Sequence, residues 1–366
     1  MKIAFDAKRA FNNYTGLGNY SRNLIMSLAD SKNEFFLYTT KKNINFPLPD
    51  KTKIITPHKF INNFIWRSIL SAYDINKKNV EIFHGLSNEI PIGLNTKSIV
   101  TIHDLLFIKY PQFYNYFDRK IYDLKSRYAC KNSNMIIAVS NRTKNDIIKY
   151  YGIDPEKIKV IYQSCDDEFK NKSSNLLLNY NYKNKLTKPY FIFVGGTEKR
   201  KNLIFLLKVL KAQRNLNIIC VGKKDSNYDN IKNYINQNKI DNQINFIKAK
   251  TTKDLASLYK NSLGLIYPSI DEGFGIPIIE AMNCSIPIII PKNEICKEIG
   301  GKYSFYFIQN NIKSILEQLN YIINNKEEVK LRVLKNNDYV KKFSNKKQGE
   351  QLIELYQSLV YEHKKS

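Results

Sequence analysis

Short, almost wholly apolar runs alternate along this chain with longer stretches in which apolar residues recur every three or four positions. "KIAFDA", "EFFLYTT", "VEIFHG", "SIVTIHD", "MIIAVS" and "IKVIYQS" are of the first kind and read as strands. Between them, "NYSRNLIMSLAD" and "NRTKNDIIKYYG" carry helical spacing, the second with Ser140 or Asn141 as its cap and Gly152 as its stop. Such alternation predicts an α/β fold with a parallel, doubly wound sheet.

The rhythm breaks over residues 166–188, which are polar, rich in Asn and Lys and without periodicity, and read as a linker. It then restarts: "PYFIFVGG", a helix over "NLIFLLKVLKAQ", "LNIICVG", a helix over "YDNIKNYINQN", "INFIKA", a helix over "TKDLASLYKNS", and "LGLIYPS". Two Rossmann-like domains follow, 1–165 and 189–340. The tail, 341–366, carries a long amphipathic helix expected to cross back to the first. Two such domains facing each other would make a cleft, and ligands of open α/β sheets sit beyond the carboxyl ends of the strands. Residues just after strands are therefore the candidates for chemistry.

A length of 366 residues suits two cores. The net charge of +25 invites an anionic partner, but no nucleic-acid module is recognisable, and no nucleic acid is expected. Two aromatic, basic stretches, 63–78 and 107–131, suit peripheral contact with an anionic membrane. The five cysteines are scattered and lack C-x-x-C spacing, which argues against a disulfide framework or a zinc site. No apolar run approaches the ~20 residues of a membrane span, and the first strand is too short for a signal peptide. A cytoplasmic location is expected.

Four stretches stand out. In "DEGFGIPIIEAMNCSIP", Glu272 falls in the loop after a strand and Glu280 in the first turn of the next helix, around Gly273, Phe274 and Gly275. Carboxylates accept from hydroxyls and glycine-exposed amides donate to them, an arrangement suited to a polyhydroxy ligand. In "VGGTEKRKNL", Gly196 leads to Arg200 and Lys201 at a helix start, which suits phosphate. In "NNYTGLGNYSRN", Gly16 and Gly18 precede a helix and offer a second anion pocket; the spacing is not that of a dinucleotide loop. In "SIVTIHDL", His103 comes where a buried strand ends. Gly222 also follows a strand, and if the ligand is a nucleotide, backbone there and over residues 246–252 would meet its base. No H-E-x-x-H or D-x-D appears, and neither a metal nor a cofactor is expected.

Together these stretches, with "AVSNRTKNDI", "VIYQSCDDEF" and the tail "FSNKKQGEQLIELYQSL", resemble glycosyltransferase family 4, retaining nucleotide-sugar enzymes of the two-domain GT-B fold. The resemblance implies that Glu280 holds the donor ribose and that Glu272, with residues 273–275, grips the donor sugar. It places Arg200 and Lys201 on the diphosphate, Gly16 to Gly18 opposite, and His103 near the anomeric carbon. It also implies a nucleoside-diphosphate sugar donor, GDP- or UDP-linked, and a saccharide or lipid-linked saccharide acceptor. Two positions depart from the family: Gly196-Thr197 where Gly-Arg is frequent, and Asn345 where an aromatic is usual. A nucleotide-sugar epimerase or a phosphorylase of the same fold is the nearest alternative, and a basic nucleic-acid binder a distant one.

Overall fold

A computed structural model describes residues 1–13, 16–40, 46–170, 186 and 188–362. The chain forms two compact units, Met1–Cys165 with Phe343–Ser366, and Asp166–Lys342.

The first unit is a sheet of seven strands: β1 (Lys2–Asp6), β2 (Glu34–Tyr38), β3 (Thr52–Ile55), β4 (Ile82–Gly85), β5 (Lys97–Ile102), β6 (Met135–Ala138) and β7 (Ile158–Val160). They run parallel in the order β3-β2-β1-β4-β5-β6-β7. Side chains alternate between two cores, as a pleated strand requires. Ile3, Phe5, Phe35 and Leu37 enter one core; Ala4, Phe36, Phe83 and Val100 enter the other. Both faces are covered, which is why these strands read as unbroken apolar runs.

The helix Asn345–Glu362 belongs to this first unit and buries Leu352, Leu355, Tyr356 and Leu359 in its core. Its Tyr356 hydroxyl meets His84 Nδ1 at 2.7 Å. His84 Nε2 meets the Thr101 hydroxyl at 2.8 Å, and Thr101 meets Tyr20 at 3.0 Å. Burial lowers the His84 imidazole to about 3, so this histidine is a neutral link in a buried chain of hydroxyls.

The second unit has six parallel strands: β8 (Phe191–Val194), β9 (Ile218–Val221), β10 (Ile244–Ile247), β11 (Leu265–Ile266), β12 (Ile288–Pro291) and β13 (Phe305–Phe307), in the order β10-β9-β8-β11-β12-β13. The winding of each sheet reverses once, between β1 and β4 and between β8 and β11. That reversal is the point at which an open α/β sheet presents a crevice to a ligand.

Of the stretch expected as a linker, residues 171–185 and 187 lie outside the described residues. Its start, Asp167–Lys170, is a 3-10 turn in the second unit, with Phe169 buried edge-on against Tyr259. The strand expected over "LGLIYPS" is only two residues long, because Pro268 has no N–H to continue a ladder.

Candidate active site

The switch point of the second unit is built from two loops stitched together. Ile270 N donates to the Arg200 carbonyl at 2.9 Å, and Asn202 Nδ2 to the Pro268 carbonyl at 3.3 Å. Arg200 and Lys201 sit in a 3-10 turn, Lys199–Lys201, just ahead of the helix Leu203–Ala212, whose N-terminus has no side-chain cap.

The Glu272 carboxylate lies among these cations. Its Oε1 accepts from Lys201 Nζ at 2.7 Å, from the Tyr267 hydroxyl at 2.7 Å and from the Ser269 hydroxyl at 2.6 Å. Its Oε2 pairs with Arg200 Nη1 at 2.5 Å. The Tyr267 hydroxyl in turn accepts from Lys201 Nζ at 2.8 Å. Burial works to raise the Glu272 carboxyl, but Arg200 and Lys201, helped by the Lys201 and Ser269 hydrogen bonds, outweigh it and hold the group well below the usual carboxylate range. Burial lowers the Lys201 ammonium, with Glu272 opposing. Glu272 lies in the loop between β11 and the helix Ile276–Asn283, as the sequence predicts; residues 271–275 are all buried, and the acid is matched to the two cations.

Glu280 differs from the sequence expectation in position. The helix runs Ile276–Asn283, so Glu280 is its fifth residue, beyond the first turn and its dipole. Its Oε2 accepts from the buried Tyr259 hydroxyl at 2.8 Å. Burial raises its carboxyl to about 7, with the Tyr259 bond opposing.

The glycines fit a loop-to-loop contact. Gly196 has φ +66° and Gly222 φ +148°, and a Cβ on Gly222 would lie 2.3 Å from the Gly196 nitrogen. The loops after β8 and β9 therefore touch backbone to backbone, with no room for side chains. Thr197, one of the two departures, adds to this contact: its hydroxyl donates to Asp225 Oδ1 at 2.6 Å and accepts from Asp225 N at 2.9 Å. Phe274 is buried beside Gly273 and Gly275, and Gly275 starts the Glu280 helix.

Gly16, Gly18 and His103 all lie in the first unit, and Leu17 and Tyr20 of the glycines' helix are the residues that approach the histidine. The two glycines are not ahead of a helix but in the first turn of Gly16–Met26. A Cβ on Gly18 would fall 1.7 Å from the Asn13 carbonyl, so its smallness serves packing. Tyr20 of the same helix sets its ring edge against His103 at 4.6 Å. His103 Nε2 donates to the Leu86 carbonyl at 2.9 Å, which leaves Nδ1 to accept from Gln163 Nε2 at 3.2 Å. Burial lowers the imidazole to about 4, so it is neutral at pH 7. A proton-transfer role would require breaking one of these bonds. Leu17, His103, Asp104 and Tyr122 line a pocket of about 250 Å³.

Tyr267, Ser269, Tyr259 and Gln163 escaped the sequence reading. Pro268 was the available signal for the first two, since a proline ending a strand marks its neighbours as residues at the carboxyl edge of the sheet.

Two units, each built on a parallel α/β sheet, make up the GT-B fold, and solved structures agree in fold. Sucrose-phosphate synthase from Thermosynechococcus elongatus matches with a TM-score of 0.79 over 98% of each chain, at 16% identity. The chain belongs to glycosyltransferase family 4: Glycosyltransferase Family 4 matches residues 14–169 and Glycosyl transferases group 1 matches residues 180–339. It is 30% identical over 278 residues to the O-antigen chain mannosyltransferase RfbU of Salmonella typhimurium, covering 75% of this chain and 72% of the relative. It is 25% identical over 241 residues to the O-antigen chain mannosyltransferase B of Escherichia coli, covering 64% and 63%. The protein is a glycosyltransferase. No helix among its described residues is long and apolar enough to cross a membrane.

Proposed function

We propose that this glycosyltransferase moves a mannosyl group from a GDP- or UDP-linked donor to a hydroxyl of a growing saccharide, with retention of configuration and without a metal. The single observation that carries the reading is the buried Arg200–Glu272–Lys201 cluster at the switch point of the second unit. Two cations at an uncapped helix start suit a diphosphate. When the diphosphate takes them, Glu272 is released to accept from hydroxyls of the donor sugar. The charge that develops on the leaving diphosphate is then met by groups already in place. The bond from the anomeric carbon to the diphosphate oxygen breaks, the bond to the acceptor oxygen forms on the same face, and the acceptor proton passes to the departing diphosphate. The mannosyl assignment rests on the names of the two relatives, and Glu280 is assigned to the ribose.

The test is to supply GDP- and UDP-sugars with and without a saccharide acceptor and to determine the anomeric configuration of the product by NMR. Acceptor-dependent release of one nucleoside diphosphate, with configuration retained, is expected. An inverted product, or an epimerised nucleotide sugar formed without acceptor, would sink the proposal.

A peripheral membrane contact forms part of this reading. Phe60, Phe64, Tyr73, Phe117 and Leu124 are all at least 60% exposed, on or beside the two basic aromatic stretches. Apolar side chains of this size among lysines and arginines suit the interface of an anionic bilayer. Sedimentation with anionic vesicles at low salt is expected to carry the protein down, and Phe64→Glu with Phe117→Glu to reduce binding about tenfold or more. Equal sedimentation of the double variant would remove the contact.

A further inference from the structure

The pocket of about 250 Å³ in the first unit sits where that sheet reverses its winding. Arg9 follows β1, Asn88 and Glu89 follow β4, and His103 and Asp104 follow β5. His103 is held there at four atoms. Its amide donates to Asn88 Oδ1 at 3.2 Å, its carbonyl accepts from the Thr143 hydroxyl at 3.2 Å, and both ring nitrogens are bonded.

The ring bonds fix more than an orientation. A carbonyl can only accept, so Nε2, at 2.9 Å from the Leu86 oxygen, must carry the ring hydrogen. Nδ1 is then an acceptor, and the group that meets it must donate. Gln163 presents its amide nitrogen there at 3.2 Å. With an N–H aimed at Nδ1, a second ring proton has nowhere to sit. Burial, opposed by the Leu86 bond and helped by Arg9, disfavours the imidazolium as well.

Gln163 is itself held in place. It stands after β7 between Tyr162 and Ser164, and Gln348 of the helix Asn345–Glu362 bonds to both neighbours. Gln348 Oε1 accepts from the Ser164 hydroxyl at 2.8 Å, and Gln348 Nε2 donates to the Tyr162 carbonyl at 3.1 Å. Gln163, Ser164 and Gln348 are all buried. Buried polar groups joined in this way set one geometry rather than several.

We propose that Gln163 is a positioning residue for sugar transfer, which keeps His103 an uncharged imidazole with its hydrogen on Nε2. The inference rests on the transferase reading, with the sugar in transit received at this pocket. Breaking the bond at an anomeric carbon builds positive charge on the sugar ring. An imidazolium in the pocket wall would oppose that charge, whereas a neutral ring held at both nitrogens does not. A glutamate at 163 would reverse the arrangement. An ionised carboxylate can only accept, so Nδ1 must gain a proton to meet it.

The test is nitrogen-15 NMR of the full chain labelled at its four histidines, with the His103 signals assigned by their loss in His103→Gln. At pH 7 the wild type is expected to show a protonated Nε2 and an unprotonated Nδ1. Gln163→Glu is expected to protonate both and to lower kcat about tenfold or more, while nucleotide affinity in calorimetry stays within about twofold. Gln163→Met offers Nδ1 neither donor nor acceptor; it is expected to keep the Nε2 hydrogen and to lose less activity than Gln163→Glu. A wild-type ring with its hydrogen on Nδ1, or on both nitrogens, overturns the proposal, and this reading needs no variant to fold. So does a Gln163→Glu protein whose ring stays neutral, or one that transfers sugar at the wild-type rate with the ring charged. Equal losses in the two variants would reduce Gln163 to a packing residue and overturn it too. If the wild type transfers sugar and is indifferent to Gln163→Glu, this inference fails alone. If the wild type transfers no sugar to any acceptor, the transferase reading fails, and this inference with it.

Discussion

Replacing Arg200 and Lys201 together by alanine is expected to lower sugar transfer by about 10³-fold or more and to weaken the second unit by roughly 3–5 kcal/mol. The first effect follows from removing two charges assigned to the leaving diphosphate. The second follows from Glu272. Its carboxylate is 10% exposed, beside an Arg200 side chain at 17% and a Lys201 side chain at 13%, so solvent screens the cluster little. With the cations gone, the neutral Tyr267 and Ser269 hydroxyls still donate to the carboxylate, but the two charges that offset its burial are lost. The double variant therefore confounds lost chemistry with lost folding, and adding Glu272→Gln separates the two. The triple variant is expected to regain most of the stability in denaturant unfolding while transfer stays at the level of the double. A triple variant as unstable as the double would show that Glu272 is not the burdened group. Full transfer in either would remove the cations from the mechanism.

The same cluster ties stability to pH. The folded Glu272 carboxyl lies below its unfolded value, so the pairing contributes fully above that unfolded value and is lost only as pH falls well into the acid range.

Much of the fold could be read from the chain because its strands are buried on both faces and its helices are not. The helix Asn141–Tyr151 shows this best: Ser140 accepts from the Thr143 amide and Gly152 takes the left-handed turn, both local events with local signals. The strands β3 and β13 went unread. Both are edge strands, of four and three residues, and the β3 side chains are half-buried or exposed, which leaves no clear apolar run. The helices Ile312–Asn324 and Lys326–Tyr339 also went unassigned, although the first buries an orderly stripe of Ile315, Leu319 and Ile322.

The site divides in the same way. Residue types and their place after strands are local, so Arg200, Lys201, Glu272 and Glu280 could be picked out. Their partners are not local. Glu272 answers Lys201 from 71 positions away, and Glu280 answers Tyr259 from 21. No spacing rule marks such pairs, so the two cations that neutralise Glu272 leave no local signal, and Glu280, expected in the first turn of its helix, is buried beyond it.

That burial gives Glu280 the second large effect. Glu280→Ala is expected to weaken binding of the donor nucleotide about 10- to 100-fold, the worth of hydrogen bonds to a charged acceptor. Burial raises this carboxyl from 4.5 to about 7, against the Tyr259 bond, with Asp166 adding to the rise. The ionised form is the better acceptor for ribose hydroxyls, so affinity in the wild type should fall about tenfold between pH 8 and pH 6. The variant should lose that dependence. Stability runs the other way. Between pH 4.5 and 7 the folded protein holds a proton the unfolded chain has released, so the wild type loses stability as pH rises across that window, by about 3 kcal/mol in all. Glu280→Gln keeps an acceptor for Tyr259 without the charge, and above pH 7 it should be the more stable protein. Calorimetry with UDP, GDP and ADP at pH 6, 7 and 8, beside denaturant unfolding at the same values, measures both slopes. A variant that is more stable but binds no nucleotide identifies an acid kept for its ligand at a cost to the fold. Nucleotide binding equally tight in Glu280→Ala, at every pH, would move the ribose site elsewhere and leave Glu280 as a partner of Tyr259 alone.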